Sequence, residues 1–161
     1  RPVLWHQDGS YWPLEPMEVV TLWLAVDDST PENGCMRVVP GTQDMELHEM
    51  KRTTDAPNVL SSQMDPDLVE EEQAVDVVLK AGGVSVHHPN IVHGSNPNTS
   101  GKRRCGLTIR YIPTTTRIVS EPWPCAFLLR GEGIEGINDY LPRPRYVEGE
   151  HLPFRGCEEW V

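Results

Sequence analysis

The sequence lacks several features that would place it in a common class. No apolar run approaches the roughly 18 residues of a membrane helix, and no basic segment followed by an apolar run opens the chain as in a secretory signal. Basic residues are few: 14 Lys and Arg against 24 Asp and Glu give a net charge of −10, opposite to the basic surface that follows nucleic-acid phosphates. These absences predict a cytoplasmic protein whose partners include neither a membrane nor a nucleic acid.

Cysteine pairs with C-x-x-C spacing are also missing. The four cysteines are isolated at positions 35, 105, 125 and 157. Four cysteines allow disulfides, but scattered cysteines in a chain of this length are more often the reduced, buried thiols of a cytosolic protein.

Helical periodicity is almost absent, whereas turn residues are plentiful, with 15 Pro and 13 Gly. Short segments rich in β-branched and aromatic residues alternate with turns, and the nearly continuous apolar segment 19–26 is predicted to be a central strand buried on both faces. The pattern predicts one all-β domain spanning 1–161, a double-stranded β-helix or jelly roll. Strands are predicted at 2–8, 19–26, 35–39, 74–79, 84–88, 91–93 and 105–112.

Two regions fall outside this strand pattern. Residues 42–73 are polar and weakly periodic, with helical turns expected at 67–73, and we predict a lid-like or disordered insertion. Residues 114–161 are Pro-rich and are predicted to wrap around the barrel without adding strands. Because the chain begins without Met and reaches candidate chemistry within a few residues, we expect a C-terminal portion lacking an N-terminal region.

A metal site is predicted from His6, Asp8 and His93. His6 and Asp8 are two positions apart, so on a strand their side chains point to the same face. His93 ends a short apolar run before Gly94 and is the best-placed third ligand. Two imidazoles and one carboxylate on one face of an octahedron are typical of Fe(II) oxygenases. The simpler interpretation, a surface His-Asp pair, fits H-x-D alone but not the distal His with the basic segment after it.

Arg104 is a candidate for binding a co-substrate carboxylate, because an arginine at the start of a buried strand can hold a carboxylate through two parallel hydrogen bonds. 2-Oxoglutarate has such a distal carboxylate, and Ser95 can add a hydroxyl to it. Lys102 and Arg103 are interpreted as a solvated turn. Arg110 shares the face of Arg104, but six residues of rise carry it about 20 Å away, which predicts that it lies too far from the iron end.

At these residues the chain resembles the phytanoyl-CoA dioxygenase family. The matching segments are 5–12 (WHQDGSYW), 22–42 (LWLAVDDSTPENGCMRVVPGT) and 87–113 (HHPNIVHGSNPNTSGKRRCGLTIRYIP). The resemblance places the metal triad on His6, Asp8 and His93, the 2-oxoglutarate arginine on Arg104 and a helper hydroxyl on Ser95. The resemblance also places an aromatic wall of the co-substrate and substrate pocket on Trp12, and we assign its neighbour Tyr11 to substrate binding as well.

The resemblance implies Fe(II), 2-oxoglutarate and O2 as cofactors and hydroxylation of a small organic or acyl substrate, with release of succinate and CO2. Halogenating relatives replace the carboxylate ligand with a small residue, so Asp8 implies hydroxylation. Two alternatives stay open: a non-catalytic jelly-roll domain that keeps a metal or only the fold, and a cupin-type enzyme with other metal chemistry. The second typically has more His ligands and no equivalent of Arg104.

Overall fold

A computed structural model describes residues 1–53, 56–120 and 126–153. Within these residues the chain forms strands and short 3-10 turns but no α-helix, and no helix has the length and apolar character that a membrane crossing needs. The all-β prediction is therefore confirmed. The strands are β1 (Val3–His6), β2 (Leu14–Glu15), β3 (Val20–Ala25), β4 (Met36–Val38), β5 (Lys51–Arg52), β6 (Ser62–Gln63), β7 (Val75–Val77), β8 (Val84–His87), β9 (His93–Ser95), β10 (Gly106–Tyr111) and β11 (Arg117–Ile118).

Two antiparallel sheets organise the molecule. One has the strand order β1-β9-β4-β7 and the other the order β10-β3-β8. Neighbouring strands come from distant parts of the chain, as in a jelly roll. The pairing of β1 with β9 aligns His6 with His93 and Val3 with Ser95, so the two ends of the predicted metal site meet across one strand pair.

The central strand of the smaller sheet is buried on one face, which corrects the predicted burial on both faces. Thr21, Trp23 and Ala25 are buried, whereas Val20 on the same strand is 40% exposed. Alternate side chains of a strand point to opposite faces, and the outer face, which also carries the 63%-exposed Val86, stays accessible in the described structure.

The segment 42–73 contributes to the hydrophobic core. Met64 is 1% exposed and packs with Val39 and Val92. The helical turns expected at 67–73 are present as two 3-10 turns, Pro66–Leu68 and Glu71–Gln73. The core cluster is completed by the partly buried Trp5, Met45, Met50, Val69 and Ala74.

The tail does add one strand, so the prediction that it adds none is wrong at this point. β11 pairs with β2 in the register Arg117 to Glu15 and Ile118 to Leu14. The position of β11 beside β2 is fixed by the fully buried Thr116, whose hydroxyl donates to the carbonyls of Pro16 and Glu18, each at 3.3 Å. A two-residue strand leaves no periodic pattern in a sequence, and its position is set by these tertiary contacts.

Strand β9 begins at His93 rather than ending there, which corrects the predicted strand at 91–93. Ile91 belongs to a turn in which its N–H donates to the carbonyl of His88 at 3.2 Å. Val92 is apolar because it enters the core, where it is 1% exposed. Pairing with β4 starts at His93, opposite Val38.

The described cysteines are both free thiols. Cys35 is buried and Cys105 is half-buried. Burial, the largest influence, and the charge of Asp76 raise the pKa of Cys35, so this thiol is unreactive near neutral pH. Cys125 and Cys157 lie outside the described residues.

Candidate metal centre

His6, Asp8 and His93 converge at the end of the β1–β9 pair. Asp8 Oδ1 lies 3.6 Å from His6 Nε2 and 3.8 Å from His93 Nε2, and the imidazole rings are 4.1 Å apart between centroids. His6 ends β1, and Asp8 begins the 3-10 turn Asp8–Tyr11. The i, i+2 spacing therefore brings two ligand candidates to one side, as expected, and the register of β9 adds the third.

Both imidazoles are oriented by backbone carbonyls. His6 Nδ1 donates to the carbonyl of Leu4 at 2.8 Å, and His93 Nδ1 donates to that of Ile91 at 2.9 Å. Because a carbonyl only accepts, the proton of the neutral ring is on Nδ1 and the lone pair is on Nε2. Both Nε2 atoms face Asp8, which is how proteins prepare histidines to bind a metal.

The electrostatics of the site favour the protonation states that bind a metal. Burial raises the pKa of Asp8, but the hydrogen bond with His6 and the charges of His93, His6 and Arg110 outweigh it and lower the pKa to about 2. Burial, with a smaller contribution from His6, lowers the pKa of His93 to about 3. Near neutral pH the Asp8 carboxylate is therefore ionised and His93 is neutral.

The donor set fits a divalent transition metal. All three residues offer ligand atoms within 4.8 Å of one another. Two ligand atoms about 2.1 Å from one ion and on the same octahedral face are about 3.0 Å apart, so the 3.6 and 3.8 Å separations shorten by less than about 1 Å when an ion binds. Two imidazoles and one carboxylate leave open positions on an octahedral ion such as Fe(II).

His87 brings a third imidazole close to this centre. Its ring lies 5.3 Å from that of His93, and neither of its buried nitrogens has a hydrogen-bond partner in the described structure. Burial, the largest influence, lowers its pKa. The neighbouring His88 is exposed, so of the two adjacent histidines only His87 adjoins the site.

Arg104 and Ser95 line one cavity with the three ligand candidates. The cavity has a volume of about 220 Å³. Arg104 is half-buried, with its guanidinium carbon 5.9 Å from the centre of the Trp23 ring. Ser95 Oγ accepts a hydrogen bond from the N–H of Val3 at 3.3 Å. The structure thus places a cation and a hydroxyl in the same cavity as the triad.

Arg110 lies at the metal centre, so the expectation that it is too far from the iron end is wrong. Its Nη2 is 3.5 Å from Asp8 Oδ2. The register of the smaller sheet explains this position, because Arg110 pairs with Thr21 and Thr21 with His87, beside His93. Arg103 also differs from a purely solvated residue: its side chain is 73% exposed, but it forms a two-pronged ion pair with Asp27 at 2.8 and 2.9 Å.

The two aromatic residues predicted to contact substrate have different neighbours. The Tyr11 ring is 6.2 Å from that of His6, and its hydroxyl is 2.9 Å from Ser62 Oγ. Trp12 stacks under Arg110, whose guanidinium carbon is 4.7 Å from the ring centre. Trp12 lines a second cavity, of about 660 Å³, between β10 and the tail.

Gln7 is a structural residue that the sequence did not reveal. It is fully buried and lies in the chain between the ligand candidates His6 and Asp8. Its Nε2 donates to the carbonyls of Glu46 at 3.1 Å and Asn90 at 2.9 Å, and its Oε1 accepts from the N–H of His48 at 2.9 Å. One amide therefore ties the 42–73 segment and the β8–β9 turn to the loop that carries Asp8.

The substitution Gln7→Leu is expected to destabilise the fold by about 3–5 kcal/mol. It leaves the buried N–H of His48 and the carbonyls of Glu46 and Asn90 without their partner, and each such group costs about 1–3 kcal/mol. Urea unfolding measures the loss, with Gln73→Leu at an exposed position as the matched control, expected to stay within about 0.5 kcal/mol. Equal unfolding midpoints for the two variants would contradict a structural role for Gln7.

Comparison with known proteins shows which family the sequence resembles. The family model for phytanoyl-CoA dioxygenase (PhyH) matches residues 1–106. The L-proline trans-4-hydroxylase of Streptomyces griseoviridis is 32% identical over 125 residues, which cover 66% of this chain and 47% of that protein. The peroxisomal phytanoyl-CoA dioxygenase of Homo sapiens is 32% identical over 103 residues, covering 62% of this chain and 30% of that protein.

Solved structures give the same answer for the fold. The apo structure of the non-haem monooxygenase ThoJ matches 90% of this chain and 51% of its own length, with a TM-score of 0.73 and 29% identity. A neighbour solved with 2-oxoglutarate, EvdO2 from Micromonospora carbonacea var. aurantiaca, has a TM-score of 0.62, 24% identity, and coverage of 77% and 50%. The jelly-roll prediction is confirmed. The chain spans about half the length, or less, of the relatives it matches.

The family model covers well over half of the chain, through both the H-x-D segment and the strand of the distal histidine. The resemblance detected in the sequence is therefore confirmed, and this chain belongs to the phytanoyl-CoA dioxygenase (PhyH) family.

Proposed function

We propose that this chain carries the active site of an Fe(II)- and 2-oxoglutarate-dependent oxygenase that hydroxylates a small organic or acyl substrate. The observation that carries the proposal is the convergence of three ligand candidates with both Nε2 lone pairs facing Asp8. Related proteins support it, among them a probable alpha-ketoglutarate-dependent hypophosphite dioxygenase of Stutzerimonas stutzeri, 27% identical over 125 residues.

The three ligands have distinct tasks in this proposal. His6 and His93 hold the ion through Nε2, and their Nδ1–H bonds to backbone carbonyls prevent the rings from rotating. Asp8 binds through Oδ1, because Oδ2 faces Arg110. When bound, Fe(II) and 2-oxoglutarate would supply the O2-dependent oxidation, with succinate and CO2 as the products of 2-oxoglutarate.

Arg104 is proposed to bind the distal carboxylate of 2-oxoglutarate. It lies in the same cavity as the triad, half-buried against Trp23. A planar guanidinium matches a carboxylate with two parallel hydrogen bonds, and the apolar ring beside it restricts competing water. Ser95 adds a hydroxyl at the same cavity wall. A co-substrate held there by its distal carboxylate would share the cavity with the triad.

Two alternatives predict different behaviour. A non-catalytic jelly-roll domain would bind a metal without consuming 2-oxoglutarate. A cupin-type enzyme would use other metal chemistry, and the half-buried His87 beside His93 is the feature that such an enzyme would use as an extra ligand. The family membership and the presence of Arg104 in the cavity favour the oxygenase.

Succinate formation tests the proposal. Protein supplied with 2-oxoglutarate and O2 is expected to release succinate with Fe(II), and at least about tenfold less when Zn(II) replaces Fe(II), because only the redox-active ion can take part in oxidation. A panel of small acids, amino acids and acyl thioesters is then screened for faster succinate release. Protein that binds iron but releases no succinate above the Zn(II) background with every compound would be the non-catalytic alternative.

A further inference from the structure

Arg110 stands between two cavities. It lines both the metal cavity of about 220 Å³ and the larger cavity of about 660 Å³. Trp12, stacked under its guanidinium at 4.7 Å, lines the larger one. A ligand in the larger cavity can therefore reach Arg110, and through Arg110 the edge of the metal centre at Asp8.

The larger cavity is suited to an apolar body. Its volume lies within the roughly 300–1,000 Å³ of small-molecule sites, which are mostly apolar with a few polar groups. It is lined by residues of β2, β10 and β11 and by tail residues 126–130 and Tyr140. The apolar side chains that line it include Leu14, Val19, Ile109, Ile118, Phe127 and Leu128.

The two cavities that Arg110 lines have more arginine than carboxylate side chains, although the chain as a whole has a net charge of −10. Among the described residues, the charged side chains that line the larger cavity are Arg110 and Arg130, with no acidic residue. In the described part of the chain, Asp8 is the one carboxylate that lines the metal cavity, where Arg104 is also present. Cavities lined by more guanidinium groups than carboxylates attract an anion.

Arg110 is available for such an anion once the metal is bound. In the described structure its one acidic partner is Asp8, at 3.5 Å, and its side chain is 42% exposed. A divalent cation at the triad takes over the charge of Asp8, so the guanidinium is left with several donors to satisfy. 2-Oxoglutarate and Asp8 together carry three negative charges. A divalent ion and Arg104 together carry three positive charges, so the positive charge of Arg110 stays unbalanced.

From these observations we propose that the primary substrate is an apolar carboxylic acid. Its carboxylate binds Arg110 at the edge of the metal centre, and its apolar body lies in the 660 Å³ cavity between β10 and the tail. This assignment rests on the proposed function for the reaction itself, but it uses residues outside the metal triad and the Arg104 site.

Calorimetry with a matched pair of probes tests the assignment. Decanoate and its neutral counterpart decanamide are titrated into protein loaded with Ni(II) and 2-oxoglutarate, so that the site is filled without turnover. Decanoate is expected to bind about 10- to 100-fold more tightly than decanamide, since a hydrogen bond to a charged partner changes affinity by about this factor. Each methylene added from hexanoate to decanoate is expected to raise affinity by about fourfold.

Three variants locate the effect. Arg110→Gln is expected to reduce the preference for decanoate over decanamide to less than about twofold, because it removes the charge and keeps the polarity. Arg110→Lys keeps the charge and is expected to retain most of the preference. Arg52→Gln, at an exposed position on β5 that lines neither cavity, is expected to bind both probes as the wild type does.

The outcomes separate this inference from the proposed function. Equal binding of the two probes, a preference that survives Arg110→Gln, or no binding of either probe would overturn the acid site while leaving Fe(II)-dependent succinate formation intact. Acid binding that depends on Arg110, in protein that never forms succinate from 2-oxoglutarate, would support the site and overturn the oxygenase proposal. Affinity independent of chain length would overturn the place given to the apolar body.

Discussion

Replacing His93 with Gln is expected to weaken Fe(II) binding by more than about 100-fold and to bring succinate formation down to background. Second-sphere changes alone cost about 10- to 100-fold in metal affinity, and His93 supplies one of only three proposed ligand atoms. The substitution is mild for the fold, because the Gln amide can still donate to the Ile91 carbonyl that now accepts from Nδ1. Equilibrium dialysis with Fe(II) under anaerobic conditions measures the affinity.

His88→Gln is the matched control for this experiment. His88 has the same side chain and lies five positions earlier in the chain, but it is exposed and does not line the metal cavity. We expect it to bind iron as the wild type does and to keep full succinate formation. If His93→Gln bound iron as tightly as His88→Gln, the centre would be elsewhere, and the convergence of His93 with Asp8 at 3.8 Å would have no role in metal binding.

The parts of the centre that the sequence predicted are those fixed by local geometry. The i, i+2 spacing of His6 and Asp8 places both on one side of a strand end, whatever the rest of the fold does. The meeting with His93 depends on the β1–β9 register, His6 opposite His93. Spacing alone does not determine that register. The motif order shared with the phytanoyl-CoA dioxygenase family is what indicated that His93 joins His6 and Asp8.

Arg110 shows why the remaining geometry could not be predicted. The prediction counts rise along one extended strand, but the structure brings Arg104 and Arg110 to the same cavity of about 220 Å³. A sequence does not say which positions of a strand adjoin a metal. That information lies in the cross-strand pairing of Arg110 with Thr21 and of Thr21 with His87. Long-range register is set by packing of the whole sheet, so a single strand carries no sign of it.

Gln7 was missed for a different reason. Strand alternation correctly turned it away from the ligands on either side of it, and a polar residue pointing away from a site is usually solvated. Here it is fully buried because loop backbone groups of Glu46, His48 and Asn90 surround its amide. Loop carbonyls and N–H groups are present at every residue, so the sequence contains no signal for which of them a glutamine will meet.

The substitution Arg104→Ala is expected to weaken 2-oxoglutarate binding by about 100-fold while changing Fe(II) affinity by less than about threefold. Loss of a charge-assisted, two-pronged contact removes roughly 3 kcal/mol, whereas no metal-ligand candidate hydrogen-bonds to Arg104 in the described structure. Calorimetric titration of 2-oxoglutarate into Ni(II)-loaded protein gives the first quantity, and Fe(II) dialysis gives the second. Arg104→Lys, which keeps the charge but not the planar fork, is expected to fall between the wild type and Arg104→Ala.

Arg103→Ala is the control for the adjacent position, since its side chain is 73% exposed and pairs with Asp27 rather than entering the cavity. An exposed ion pair contributes about 0–1 kcal/mol, so this variant is expected to bind 2-oxoglutarate and iron normally. Equal losses of iron and 2-oxoglutarate in Arg104→Ala would indicate general disruption of the cavity. Unchanged 2-oxoglutarate affinity would move the co-substrate carboxylate to Arg110, the other guanidinium in the metal cavity, and would leave the primary substrate without its proposed anchor.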